Sequence, residues 1–299
     1  MSRERSTSRR AYLAAFGSGT AMALAGCLGE PPAEDNGSGG DGGNGTGTTD
    51  GNTSGNGSGE TTTGGDGGGE TTTITAGTAP GFPPFEIKEG GELTGFDVEL
   101  LEAVVAAAPG YELGGWEEFD FSGLIPALTN SRIDVIAAAM TITEERKQTI
   151  AFSDPYYDAN QSVLVRADGE FSPGSLDDLS GHPIGAQKGT TGEGVVKSEL
   201  IEQGKLEQSN YKAYGNYTLA VQDLENGNID AIVLDKPVAE TFQAQRDVTV
   251  AFTYETGEEY GFGLRQDEEE MISALNEGLA TVQDDGTYEE LRNKWFSGS

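Results

Sequence analysis

The chain is expected to fold as an α/β protein, with a doubly wound sheet in each of two lobes. Three observations lead there. From residue 73 onward, apolar runs of strand length alternate with amphipathic runs of helix length. Apart from Asp134 and Asp230, residues 133–139 and 229–234 are apolar without alternation, as in strands covered on both faces. The pattern restarts at His182 and is then written a second time.

In the first half, residues 73–77 read as a strand. Residues 97–108 follow as an apolar-periodic helix, stopped by Pro109 and Gly110. Residues 111–119 form the next strand. A helix over 122–130 takes Ser122 as its cap and Pro126 in its first turn, where a proline does least harm. The buried strand 133–139 completes βαβαβ. In the second half, strands are expected at 183–187, 210–213 and 229–234. Helices are expected at 193–203, at 217–226 and after Asp235. Residues 248–253 and 260–264 are the last strands, and helices 268–283 and 288–296 close the chain. In open α/β sheets, ligands settle beyond the C-terminal ends of strands, near helix N-termini. Two such lobes face each other across a cleft.

The 299 residues carry 50 acidic and 18 basic side chains, a formal net charge of -32. The excess persists from residue 71 onward, with 41 acidic against 14 basic residues. Nucleic acid is thereby excluded as a partner, because phosphate recognition needs a basic surface. A carboxylate surplus of this kind keeps a halophile's protein soluble in brine. The charge describes the solvent more than the ligand. One cysteine allows no internal disulfide. With a single histidine, His182, and no cysteine–histidine cluster, neither a metal nor a cofactor is expected.

The N-terminus reads as an address. Arg9 and Arg10 precede a short apolar run, as in twin-arginine export signals. Leu24-Ala25-Gly26-Cys27 forms a lipoprotein cleavage site. Residues 1–27 are therefore expected to be a signal peptide, with a lipid anchor on Cys27. The alternative, an uncleaved span over residues 11–28, is short and interrupted by Gly17, Ser18, Gly19 and Thr20. Residues 28–70 are Gly, Ser, Thr, Asn and Asp with almost nothing apolar, which makes a disordered linker. A coil of that length spans about 35 Å. Its asparagine sequons, at Asn36, Asn44, Asn52 and Asn56, make glycosylation possible without requiring it.

The folded part resembles a known family. Gly95-Phe96-Asp97-Val98-Glu99-Leu100 is similar to the signature of family 3 solute-binding proteins, the polar amino acid receptors of ABC importers. The resemblance continues through Phe121-Ser122-Gly123-Leu124-Ile125-Pro126 and Thr141-Ile142-Thr143-Glu144-Glu145-Arg146. It extends to Gly189-Thr190-Thr191-Gly192, Gly227-Asn228-Ile229-Asp230 and Asp285-Gly286-Thr287-Tyr288. It implies the two-lobed periplasmic-binding-protein type II fold over residues 71–299. Lobe 1 would take about 71–160 and 260–299, lobe 2 about 165–254, with two crossing hinge strands.

An amino acid zwitterion needs a cation for its carboxylate and an anion for its ammonium. Arg146 suits the first role, since a guanidinium makes two parallel hydrogen bonds to a carboxylate. The resemblance puts the ligand-clamping arginine there. Asp235, at a strand C-terminus, resembles the ammonium-binding aspartate; it also reads as an ordinary helix N-cap. Thr190 and Thr191 open a helix whose N–H groups suit an anion, or merely cap that helix. By resemblance, Ala139 offers backbone groups and Thr141 a hydroxyl, while Phe82 and Phe121 sandwich the ligand side chain and Gln187 reads it. Both phenylalanines read equally as core. Ala79 stands where some receptors for basic amino acids carry an acid, so a neutral or polar side chain is expected.

The implied function is a receptor outside the cell membrane that captures a polar amino acid for an ABC transporter permease. It would be a monomer, attached to the membrane through its lipid. The alternatives are a dehydratase acting on cyclohexadienyl substrates, with Glu193 as the nearest candidate acid, and a ligand-presenting sensor.

Overall fold

The computed structural model describes residues 71 to 296, which belong to one compact unit. Arg9, Arg10, Cys27 and the linker 28–70 lie outside the described residues. No helix among the described residues is long and apolar enough to cross a membrane.

Lobe 1 is built on a five-stranded sheet. Strand β1 (Thr72–Thr78) is second from one edge, β2 (Ile87–Glu89) and β3 (Glu92–Thr94) form a separate hairpin, and helix α1 (Phe96–Ala107) follows. Next come β4 (Tyr111–Glu118), α2 (Phe121–Thr129), β5 (Val135–Ile136), α3 (Glu144–Lys147) and β6 (Ala151–Phe152). Strand β7 (Tyr157–Arg166) leaves the lobe.

Lobe 2 holds β8 (Ile184–Gln187), α4 (Thr191–Val195), β9 (Tyr211–Tyr214), α5 (Tyr217–Glu225), β10 (Ala231–Asp235) and α6 (Lys236–Gln245). Strand β11 (Val248–Tyr260) returns to lobe 1. There β12 (Gly263–Leu264), α7 (Glu269–Asp284) and α8 (Thr287–Phe296) finish the chain. The sheet orders are β4-β1-β5-β12-β6 and β11-β7-β10-β8-β9. In the first sheet β1 runs parallel to β4 and β5, and in the second β8 runs parallel to β9 and β10. This is the two-lobed type II architecture.

The hinge is the antiparallel pair β7–β11. Its register runs from Val248 opposite Arg166 to Tyr260 opposite Tyr157. It slips between Tyr254 and Glu258. The extra residues bulge around Gly257, whose φ is 62°, and Asn160 Oδ1 accepts from the N–H groups of Thr256 and Gly257, both at 2.9 Å. Tyr157 stacks on Tyr260 and Phe296 and roots the pair in lobe 1. Val163 and Val165 root it in the lobe 2 core with Ile184, Leu200 and Val233.

Four expectations need correction. Ser122 is not the cap of α2, because the helix starts one residue earlier with Asp120 at the N-cap position. Pro126 consequently lies in the second turn. Its missing N–H removes one bond from a helix of only nine residues. Apart from the half-buried Asp134, the run 133–139 is buried, but only Val135 and Ile136 are strand. Ala139 has φ 44° and gives its N–H to Asp97 Oδ2 at 2.6 Å, so the chain leaves the ladder there. Residues 248–253 and 260 belong to one 13-residue strand, because the hinge crossing keeps the chain extended between the lobes.

Helices α7 and α8 pack on α1 of lobe 1. Gly278 makes the close approach possible: a Cβ there would sit 2.3 Å from the Val104 carbonyl oxygen.

Candidate functional site

The two lobes meet along a line of polar contacts. Arg146 lies within the single turn of α3, where Thr143 Oγ1 caps the helix by accepting from the Arg146 N–H. Its guanidinium reaches across the cleft. Nη1 donates to the Thr141 carbonyl at 2.7 Å, and Nη2 donates to the Gly189 carbonyl at 3.0 Å. The group lies over the Phe121 ring, 5.4 Å from its centroid. A guanidinium has five N–H donors, so donors remain for an anion. No carboxylate among the described residues forms an ion pair with it. Burial lowers its pKa, while the charges of Asp235 and Glu258 act in the opposite direction.

Asp235 ends β10 and is 2% exposed. It occupies the N-cap position of α6, yet its side chain makes no capping bond. Its Oδ1 accepts instead from the Tyr260 hydroxyl at 2.7 Å and from Gln161 Nε2 at 3.0 Å. Burial, then the charge of Glu258, pushes its pKa up to about 7 against the pull of Tyr260 and Arg146.

Around the turn after β8, Thr190 Oγ1 caps α4 by accepting from the Glu193 N–H, and it donates to the Gln187 carbonyl. Its hydroxyl is therefore engaged locally. Thr191 Oγ1 faces the cleft, 3.5 Å from Thr141 Oγ1 of the other lobe. Both hydroxyls donate to Glu258 Oε2, Thr141 at 2.9 Å and Thr191 at 2.8 Å. Gln187 is 1% exposed, and its Oε1 has no protein partner. Phe82 packs on Phe85 and on Tyr217 of the opposite lobe. The rings of Phe82 and Phe121 thus bear on different neighbours. Ala139 lies at the floor, with its N–H committed to Asp97.

A cavity of about 550 Å³ opens between the lobes at Arg146, Phe121, Thr190 and Thr191. Ala139, Thr141, Phe82, Gln187 and Asp235 do not line it, and each is buried. Of the nine proposed ligand residues, four therefore line the cavity and five do not.

Glu193 is fully engaged. Partial burial acts against its charge, but bonds from the Gly189 N–H, Lys197 and the Tyr211 hydroxyl outweigh that and hold its pKa below the usual value. Beneath the cleft, Glu86 is completely buried with both carboxylate oxygens unpartnered. Burial, with Asp97 and Asp235 nearby, raises its pKa well above the usual value. Sequence reasoning overlooked Glu258, Gln161 and Tyr260. Strand register supplies the missing signal: Gln161 lies opposite Asp235, and Glu258 opposite Ala159, two residues from Gln161. The period of two puts all three side chains on one face.

The family described as bacterial extracellular solute-binding proteins, family 3, matches residues 74–298. A probable histidine-binding protein of Campylobacter jejuni is 35% identical over 226 residues, covering 75% of this chain and 84% of that protein. The arginine-binding extracellular protein ArtP of Bacillus subtilis is 34% identical, covering 74% and 85%. Among solved structures, an ancestral arginine-binding protein bound to arginine has a TM-score of 0.69 at 37% identity, covering 75% of this chain and 98% of that one. An ancestral amino acid-binding protein described as a precursor of cyclohexadienyl dehydratase has a TM-score of 0.68 at 34% identity, covering 75% and 95%.

Proposed function

Because the chain belongs to the bacterial extracellular solute-binding proteins of family 3, we propose that it captures one polar amino acid between its lobes for an ABC transporter. One observation carries this reading: Arg146 of lobe 1 lines the interlobe cavity, and the buried Asp235 carboxylate of lobe 2 is near enough for the two charges to act on each other. An amino acid sets its carboxylate on the free N–H groups of Arg146, with the N-terminus of α4 beside it. Its ammonium goes to Asp235. Thr191 and Phe121, which line the cavity, and the buried Thr141, Gln187 and Phe82 supply the remaining contacts. Closing the lobes excludes water and strengthens both charge contacts.

The engagement of Glu193 supports binding without chemistry. An acid held ionised by three donors has no proton to give a substrate. Export by Arg9 and Arg10, a lipid on Cys27 and the linker 28–70 belong to the same reading. They keep the domain at the outer face of the membrane, within reach of permease subunits.

A thermal-shift screen of the common amino acids in high salt tests this. One of them raises the melting temperature in proportion to the logarithm of its concentration. Turnover of prephenate or arogenate, with no amino acid bound, would overturn the proposal.

A further inference from the structure

We infer that Glu258 is a further specificity-determining residue of the cleft, which selects an amino acid of net positive charge over a neutral one. The inference rests on the amino acid-binding reading above and deepens it.

The geometry starts from the ladder. Asp235 pairs with Gln161, and Glu258 pairs with Ala159, so their side chains rise from one face of the hinge. Gln161 Nε2 donates to Asp235 Oδ1 and to Glu258 Oε1, both at 3.0 Å. Two carboxylates thus stand within reach of a single nitrogen. Glu258 Oε2 takes the hydroxyls of Thr141 and Thr191, one from each lobe, and Oε1 also takes the Thr256 hydroxyl at 2.8 Å. Glu258 is 8% exposed and does not itself line the interlobe cavity, so its charge acts from the buried hinge and not from the rim.

The charges do not balance. Among the described residues, neither Asp235 nor Glu258 forms an ion pair with a lysine or arginine. Arg146 is the cation that faces them. Glu86 and Asp97 lie behind the floor and add no positive charge. Glu145 stands beside Arg146 at the mouth. A zwitterion with a neutral side chain satisfies Arg146 and Asp235 and leaves Glu258 unmatched. A buried, unmatched charge is costly, and hydrogen bonds from hydroxyls and an amide offset that only in part. A ligand with an additional cation brings the inner site to neutrality. Ala79, apolar in the first lobe, does not have to supply that charge, because the hinge strand does.

The test is calorimetry with arginine and glutamine as probes, on the wild-type domain and on Glu258→Gln. The substitution keeps the shape while removing the charge; its amide nitrogen can only donate, so the Thr141 and Thr191 hydroxyls must turn to accept from it. Wild type binds arginine at least about tenfold more tightly than glutamine, and the variant loses most of that ratio, chiefly through arginine. Three results overturn the inference: a wild type that binds glutamine as tightly as arginine, a variant that loses both ligands equally, or a variant that binds arginine more tightly. A wild type without a preference for arginine overturns the inference even where the variant does not fold. A wild type that binds no amino acid at all defeats the receptor reading itself, which is a different result.

Discussion

The Arg146 guanidinium, carried by lobe 1, donates to the carbonyl of Gly189 in lobe 2 at 3.0 Å. One side chain therefore joins the lobes and, in the proposed reading, also holds the ligand carboxylate. Arg146→Ala removes both, and about two charge-assisted hydrogen bonds with them, so affinity for any α-amino acid falls by roughly a hundredfold or more. Arg146→Lys recovers only part, because an ammonium has no planar fork. Calorimetry on both variants checks the order; equal affinity for wild type and Arg146→Ala refutes it.

Asp97 couples the floor of the cleft to pH. Its Oδ2 accepts from the Ala139 N–H and the Tyr156 hydroxyl, both at 2.6 Å, inside a fully buried site. Burial raises its pKa from 3.8 to about 7 against those two bonds. The folded chain then holds a proton that the unfolded chain releases. Stability from this group is complete below the unfolded value and declines as pH rises from about 4 to about 7. Asp97→Asn flattens that slope in urea titrations across the window. An unchanged slope shows that Asp97 ionises as it does in the unfolded chain.

Most of the architecture is legible in the sequence, because the signals that specify it are local. Periodicity marked α1 and α7, and unbroken apolar runs marked the buried strands. The errors fall where tertiary contacts decide. Nothing local announces that Ala139 turns to a positive φ and gives its N–H to Asp97. Likewise, Asp235 reads as a helix cap until Gln161 and Tyr260 are seen to hold its carboxylate. Glu258 lies in Tyr254-Glu255-Thr256-Gly257-Glu258-Glu259, which looks like a solvated acidic loop. A bulge turns it inward, and bulges depend on the partner strand.

Gly192 shows how tightly the turn below Arg146 is packed. A Cβ there would lie 2.7 Å from the Val233 carbonyl oxygen, 2.8 Å from the Tyr217 hydroxyl and 3.0 Å from Gln161 Oε1. Gly192→Ala must push α4 away from β10 and disturb the amide that bridges Asp235 and Glu258. A loss of about 1–3 kcal/mol is expected in denaturant unfolding, as for other overpacked sites. Ligand affinity weakens with it. A variant as stable as wild type would mean that the turn yields without cost.

Asp235 makes affinity itself pH-dependent. Below about pH 7 the ligand-free carboxyl is increasingly protonated, and a neutral acid cannot pair with an ammonium. Binding must first release that proton, so affinity drops by up to about tenfold for each unit below this midpoint and levels off above it. Asp235→Asn removes the slope and weakens binding at every pH, since the ammonium is then buried without its counter-ion. Glu258→Gln gives the finer check. Burial is the larger cause of the raised pKa and Glu258 the next, so removing that charge moves the midpoint to lower pH without abolishing it. Calorimetric titrations over a pH series read all three curves. A wild-type affinity flat through this range would mean that Asp235 is already ionised in the empty cleft.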